Sequence, residues 1–134
     1  MGILRLSHVE IRVPDLELAA AYYTEVLGLI ESSRQAEKVW LKCWDELQHH
    51  SVVLTYAPTY GLDAVGFKLQ DAEDLDYYQE RLETAGVATK RFGAGELGPG
   101  SGTTVRFEAP SGHVVDLVWG MDQVGNMLPL NNPP

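Results

Sequence analysis

Apolar and polar residues in the first half of the chain alternate first at the period of a strand and then at that of a helix. Residues 4–13 alternate in polarity, as a half-buried strand does, and this pattern stops at Pro14 and Asp15. Residues 16–27 have helical spacing, with Asp15 as the predicted N-cap and Gly28 as the C-terminal stop. Strands are predicted at residues 29–33, 38–44 and 51–57, which completes a βαβββ module. The predicted buried stripe of the helix consists of Leu16, Ala19, Ala20, Tyr23, Val26 and Leu27.

The same order of elements returns in the second half of the chain. After a connector at residues 58–61, the pattern predicts a strand at 63–69 and a helix at 72–85 that Gly86 ends. Strands follow at residues 88–92, 103–108 and 113–119, and a tight turn at residues 110–112 joins the last two. The predicted buried stripe of this helix consists of Leu75, Tyr78, Leu82 and Ala85. We therefore predict an α+β fold built from two βαβββ modules.

Sequence similarity between the halves supports this repeat. Residues 9–17 reappear as residues 65–73, an offset of 56, and residues 50–54 reappear as 113–117, an offset of 63. The two modules are expected to be related by a pseudo-twofold axis that forms a cleft between them. We assign residues 1–120 to one paired domain, with modules at about 4–57 and 63–119, and residues 121–134 to a linker or arm.

Charge and composition exclude several classes of partner. The formal net charge of −9 disfavours binding to nucleic acid or to an anionic membrane, because both require a basic face. The single cysteine, Cys43, lies in an apolar run and is predicted to be buried. No signal peptide or membrane-length apolar run is evident, so we expect a cytoplasmic protein. The glycine-rich residues 93–102 do not end in Lys-Ser/Thr as a P-loop does and are interpreted as a mobile loop.

The order of elements and five short motifs resemble the vicinal oxygen chelate superfamily, which contains glyoxalases, bleomycin-resistance proteins and extradiol dioxygenases. The resemblance covers residues 4–119 and is strongest to the N-terminal domain of the catechol 2,3-dioxygenases. Its motifs are Gly-Leu-Ile-Glu (28–31), Trp-Leu-Lys-Cys-Trp (40–44), Val-Gly-Phe-Lys (65–68), Gly-Ala-Gly-Glu-Leu (93–97) and Val-Arg-Phe-Glu-Ala-Pro-Ser-Gly-His (105–113). In that family a second, C-terminal pair of modules holds Fe(II). The resemblance therefore implies an iron domain beyond residue 134.

The resemblance also identifies the positions at which this chain would hold a metal. Superfamily sites use one position in the first strand and one in the last strand of each module, here His8, Val53, Ala64 and Asp116. The extradiol arrangement needs His, His and Glu at positions equivalent to 8, 64 and 116. Alanine replaces the middle histidine and aspartate replaces the glutamate. We therefore expect no metal in this chain, with His8 and Asp116 as vestigial positions that pair with each other.

Other conspicuous residues are given structural interpretations. His49 and His50 fall in a predicted loop and are expected to be solvated, and His113 is expected to serve the turn before the last strand. Four aromatic residues could line a pocket for an aromatic substrate, but packing in the sheet core is the favoured prediction. They are Trp40, Trp44, Tyr56 and Trp119.

These observations lead to one principal hypothesis and two alternatives. The principal hypothesis is the non-catalytic N-terminal domain of an extradiol dioxygenase, with Fe(II) in the other half, a catechol-type diol as substrate and a homo-oligomeric assembly. The first alternative is a stand-alone, metal-free small-molecule binder of the bleomycin-resistance type. The second is a metal-dependent lyase resembling glyoxalase I. No catalytic residue is predicted in this chain, and the sequence does not identify substrate-binding residues.

Overall fold

A computed structural model describes residues 2–124 and shows two βαβββ modules, which confirms the predicted α+β fold. The first contains β1 (Ile3–Val13), α1 (Leu16–Ala21) with a π-helical turn (Tyr22–Val26), β2 (Ile30–Gln35), β3 (Lys38–Lys42) and β4 (Val52–Tyr56). The second contains β5 (Gly61–Leu69), α2 (Glu73–Thr84), β6 (Thr89–Phe92), β7 (Thr103–Glu108) and β8 (Val114–Trp119). Most of the predicted linker, residues 125–134, lies outside the described residues.

All eight strands form one sheet in the order β2-β3-β4-β1-β5-β8-β7-β6, so β1 and β5 join the modules at its centre. These two strands run antiparallel, with His8 opposite Gly66 and Glu10 opposite Ala64. The offset of 56 relates residue 8 to residue 64 and residue 10 to residue 66. The pseudo-twofold axis therefore exchanges the His8–Gly66 pair with the Glu10–Ala64 pair. The register therefore confirms the first offset of the repeat.

The parallel strand pairs confirm the second offset. In the first module Glu10 of β1 lies opposite Val53 of β4, and in the second module Gly66 of β5 lies opposite Asp116 of β8. Residue 10 plus 56 gives 66, and residue 53 plus 63 gives 116. Corresponding strand positions in the two modules can thus be compared directly across the pseudo-twofold axis.

Each module has its own hydrophobic core between its helix and the outer face of the sheet. Leu16 and Ala20 of α1 pack with Leu54 in one core, and Leu75 of α2 packs with Leu117 in the other. Because side chains alternate along a strand, the residues between these core positions face the opposite side, where the cleft lies.

The start of α1 is confirmed, but its predicted buried stripe is wrong at its end. Asp15 accepts a hydrogen bond from the Leu18 amide at 3.0 Å, as an N-cap does. Val26 and Leu27 are 65% and 52% exposed. The π-helical turn, in which the Leu27 amide bonds to the carbonyl of Tyr22, explains this exposure because it adds a residue to the turn and rotates the later side chains off the stripe.

Other burial predictions fail at or just beyond the end of a strand or helix. Strand β3 ends at Lys42, so Cys43 and Trp44 lie beyond the sheet and are exposed. Tyr56 and Trp119, the last residues of β4 and β8, are 46% and 39% exposed rather than part of the core. Ala85 follows the last residue of α2 and is also exposed. Within residues 2–124, no helix has the length and hydropathy needed to cross a membrane.

Candidate functional site

The cleft lies on the face of the sheet away from the helices, and β1 brings two polar side chains into it. His8 and Glu10 are both half-buried and alternate with Val9 and Ile11, which face the other side. Because His8 lies opposite Gly66, its ring occupies the space that a β-carbon at Gly66 would fill. The missing side chain at residue 66 therefore lets the imidazole reach across β5.

Asp116 on β8 is the most buried carboxylate of the cleft, and the side chains of Arg106 and His8 lie beside it. Arg106 of the neighbouring β7 donates two hydrogen bonds to it, from Nε at 2.7 Å and from an Nη at 2.9 Å. The Nε2 atom of His8 lies 3.8 Å from Asp116 Oδ2, so the predicted pairing of His8 with Asp116 is confirmed. Burial would raise the pKa of Asp116, but the two hydrogen bonds from Arg106 and the proximity of His8 outweigh it, and the pKa lies below its ordinary value.

A second ion pair fills the part of the cleft that belongs to the first module. Lys38 Nζ on β3 donates a hydrogen bond to Glu10 Oε2 at 2.9 Å, and the Thr55 hydroxyl donates to the same oxygen at 2.8 Å. Lys38 is opposite Thr55 in the sheet, so strand register places all three groups together. With both Asp116 and Glu10 matched by a cation, the cleft has little unbalanced charge with which to bind an ionic ligand.

The adjacent histidines are buried, and the prediction that they are solvated is wrong. His49 and His50 are 7% and 3% exposed, with their Nδ1 atoms 2.8 Å apart. The far nitrogen of His49 lies 2.9 Å from the hydroxyl of Ser33 on β2, and the His50 ring packs edge-on against that of His8 with centroids 5.7 Å apart. Burial, reinforced by His8, His49 and Lys38, lowers the pKa of His50 to about 3.

The glycine-rich residues 93–102 close one side of the cleft. Gly98 and Gly100 lie so near to Trp40 and His49 that a side chain at either position would overlap those rings. The His49 amide bonds to the carbonyl of Asp122, whose own amide bonds to the carbonyl of Gly100. The stretch thus packs against the histidines, which explains why a loop position in sequence becomes a buried position in the fold.

The four aromatic residues do not form one pocket. Trp40 is 2% exposed and lines the cleft, whereas Trp44, Tyr56 and Trp119 lie at strand ends and are exposed. His113 is exposed in the turn before β8, with its Nδ1 atom 3.0 Å from the hydroxyl of Ser111, in agreement with the predicted turn role.

The residues present do not fit the iron centre that the superfamily uses. Val53 and Ala64 provide no donor atom, and both carboxylate oxygens of Asp116 are bound by Arg106. A metal at His8 and Asp116 would also face the guanidinium of Arg106, a fixed positive charge. Among residues 2–124, no three His, Cys, Asp or Glu side chains are grouped so that they could hold a metal ion.

Little free space remains between these side chains. The cavity between these side chains has a volume of about 20 Å³, which is room for about one water molecule. An aromatic diol is several times larger. The side chains of the chain itself therefore occupy the place in which a superfamily site would hold metal and substrate.

Sequence reasoning identified His8 and Asp116 but missed Arg106, the partner of Asp116, and the Lys38–Glu10 ion pair. Arg106 lies opposite Asp116 in the β7–β8 pairing, and Lys38 lies two residues before Trp40 on the cleft face of β3. Period-two alternation on the predicted strands would have assigned both cations to the cleft face. The burial of His49 and His50 has no comparable local signal, because it depends on the distant glycine-rich residues.

Several known proteins are similar to this chain in sequence and in structure. A family model described as the catechol 2,3-dioxygenase-like N-terminal domain matches residues 62–119. Metapyrocatechase from Pseudomonas sp. (strain CF600) is 39% identical over 132 residues, which cover 92% of this chain and 43% of metapyrocatechase. Manganese-dependent 2,3-dihydroxybiphenyl 1,2-dioxygenase from Geobacillus genomosp. 3 is 25% identical over 121 residues, which cover 90% of this chain and 38% of that dioxygenase.

Among solved structures, the 2,3-dioxygenase LapB from Pseudomonas sp. KL28 superimposes with a TM-score of 0.90 and 39% identity. The superposition covers 100% of this chain and 46% of LapB. The chain thus spans less than half the length of these relatives.

Proposed function

The chain belongs to the vicinal oxygen chelate superfamily as an N-terminal domain of the extradiol dioxygenase type, and on that premise we propose that it is the non-catalytic half of a ring-cleaving dioxygenase. In this proposal a further pair of modules in a longer protein holds Fe(II) and binds a catechol-type diol. The present domain contributes folding stability and subunit contacts. We further propose that the protein is a homo-oligomer and works in the cytoplasm.

The filled cleft is the observation that supports this role most strongly. The Arg106–Asp116 and Lys38–Glu10 ion pairs occupy the cleft, and Ala64 replaces the histidine that a facial triad needs. Replacing metal ligands by internal ion pairs preserves the packing of the cleft while removing its open coordination positions. The domain thus keeps the superfamily architecture without a site at which O₂ and a diol could be bound together.

Oxygen consumption by the isolated chain tests this proposal. The chain is incubated with Fe(II), a reductant and catechol, and O₂ uptake and ring-cleavage product are measured against a protein-free control. We expect no uptake above the control. Catechol-dependent uptake that is abolished by His8→Ala would show that the cleft is itself an active site. Catechol binding without uptake, measured by calorimetry, would instead favour the stand-alone binding protein.

A further inference from the structure

Helix α1 and its π-helical turn carry large apolar side chains on the side that faces away from the sheet. Four of these side chains are more than half exposed: Leu18, Tyr22, Val26 and Leu27. Tyr60, which is 79% exposed, shares a groove with Leu18 and Tyr22, and Trp44 shares a second groove with Leu27. We call these six residues the α1 patch.

The repeat provides an internal comparison for the α1 patch. Helix α2 occupies the corresponding place in the second module, but its exposed side chains are mainly charged: Glu73, Asp76, Glu80, Arg81 and Glu83. Tyr77 is the large apolar side chain among them, at 41% exposure. Helix α2 thus has the polar outer face of a helix in water, whereas α1 has an apolar inner stripe and an apolar outer face. The difference indicates that the outer face of α1 is normally covered.

We propose that the α1 patch is the interface through which two copies of this chain associate. With roughly half of each side chain exposed, the six residues offer about 600 Å² of surface, close to the about 800 Å² per partner in a standard-sized interface. Leu18, Tyr22 and Val26 follow one another at intervals of four residues, which forms a ridge suited to packing against the same ridge of a second helix. The contact would be isologous, with the same patch used by both copies.

Charge at the edge of the patch makes a specific prediction about salt. Asp15, Glu17 and Glu25 are exposed beside it, and Arg34 is already paired with Glu17 and with Glu31. Two copies that meet here bring acidic groups together within a chain of net charge −9. Screening should therefore tighten association, whereas an interface built on ion pairs would weaken as salt is added.

Sedimentation velocity of the chain at rising concentration, in low and in high salt, tests the proposal. We expect a concentration-dependent dimer that becomes tighter in high salt. Leu18→Glu should weaken the dimer by at least about 30-fold, because a charge placed at the centre of an apolar interface is left unpaired. Tyr77→Glu on α2 is the matched control, and its dissociation constant should equal that of the parent chain.

A second variant separates loss of the interface from loss of the fold. Tyr60 lies in the connector between the modules, outside either helix, so Tyr60→Glu should weaken the dimer while circular dichroism and thermal unfolding stay those of the parent. A parent chain that is monomeric at all concentrations would overturn the proposal. It would indicate that another part of a longer protein covers the α1 patch. Equal disruption by Tyr77→Glu would overturn it as well.

The inference specifies the surface of the proposed homo-oligomer and does not depend on the role of the cleft. Oxygen uptake depends on the cleft alone, and sedimentation depends on the α1 patch alone. A monomeric chain would therefore count against the proposed subunit contacts but not against the non-catalytic role of the cleft.

Discussion

The buried position of His50 predicts that the domain loses stability as the pH falls from neutral. His50 is 3% exposed and contacts the rings of His8 and His49, and its pKa is lowered from 6.5 to about 3. Burial is the largest cause, followed by the neighbouring His8, His49 and Lys38. The ring must therefore be neutral to occupy this place.

The size of the effect follows from proton linkage. Between pH 6.5 and about 3 the unfolded chain binds a proton at residue 50 and the folded chain does not. The contribution of His50 is thus fully present above pH 6.5 and is lost as the pH falls toward 3. Linkage gives a slope of up to about 1.4 kcal/mol per pH unit and a loss of about 2 kcal/mol between pH 7 and pH 5. Asp116, whose pKa is lowered from 3.8, contributes stability that is present above pH 3.8 and is lost as the pH falls below that value.

Urea unfolding at pH 7, 6 and 5 measures this loss for the parent chain and for His50→Gln, which cannot titrate. We expect the parent to lose about 2 kcal/mol more than the variant over this range, at an unchanged m-value. His113→Gln is the matched control, because His113 is exposed in the turn before β8, and it should keep the parent slope. A His50→Gln chain whose stability falls with pH as steeply as the parent would refute the reasoning.

Three further predictions concern the cleft. Arg106→Met should destabilise the domain by about 3 kcal/mol because it leaves Asp116 buried without its cation, and Arg106→Met with Asp116→Leu should recover most of this loss in urea unfolding. Gly66→Ala should cost about 2 kcal/mol because its β-carbon overlaps the His8 ring, and this cost should shrink in a His8→Ala background. The substitutions Ala64→His and Asp116→Glu add metal-binding atoms, and we expect them to give weak Fe(II) binding only when Arg106→Met is also present. Anaerobic Fe(II) titration measures this, and equal binding with and without Arg106 would contradict the prediction.

The sequence predicted the architecture well because its signals are local. Alternation, helical spacing and turn residues define each module, and the two offsets then predict the strand register that brings His8 near Asp116. Burial at the ends of elements was harder to predict. The π-helical turn exposes Val26. The glycine-rich residues pack on His49, and His8 and His49 pack on His50, so both burials depend largely on contacts far apart in sequence.

The cleft of this domain is filled by its own side chains, and we propose that it holds no catalytic metal. The most direct measurement is metal content per chain after anaerobic incubation with excess Fe(II), removal of unbound metal by gel filtration and elemental analysis, with His8→Ala measured in parallel. We expect far less than one iron per chain, equal in the parent and in His8→Ala, because Val53 and Ala64 offer no donor atoms and Arg106 holds Asp116. About one tightly bound iron per parent chain, lost in His8→Ala, would contradict it.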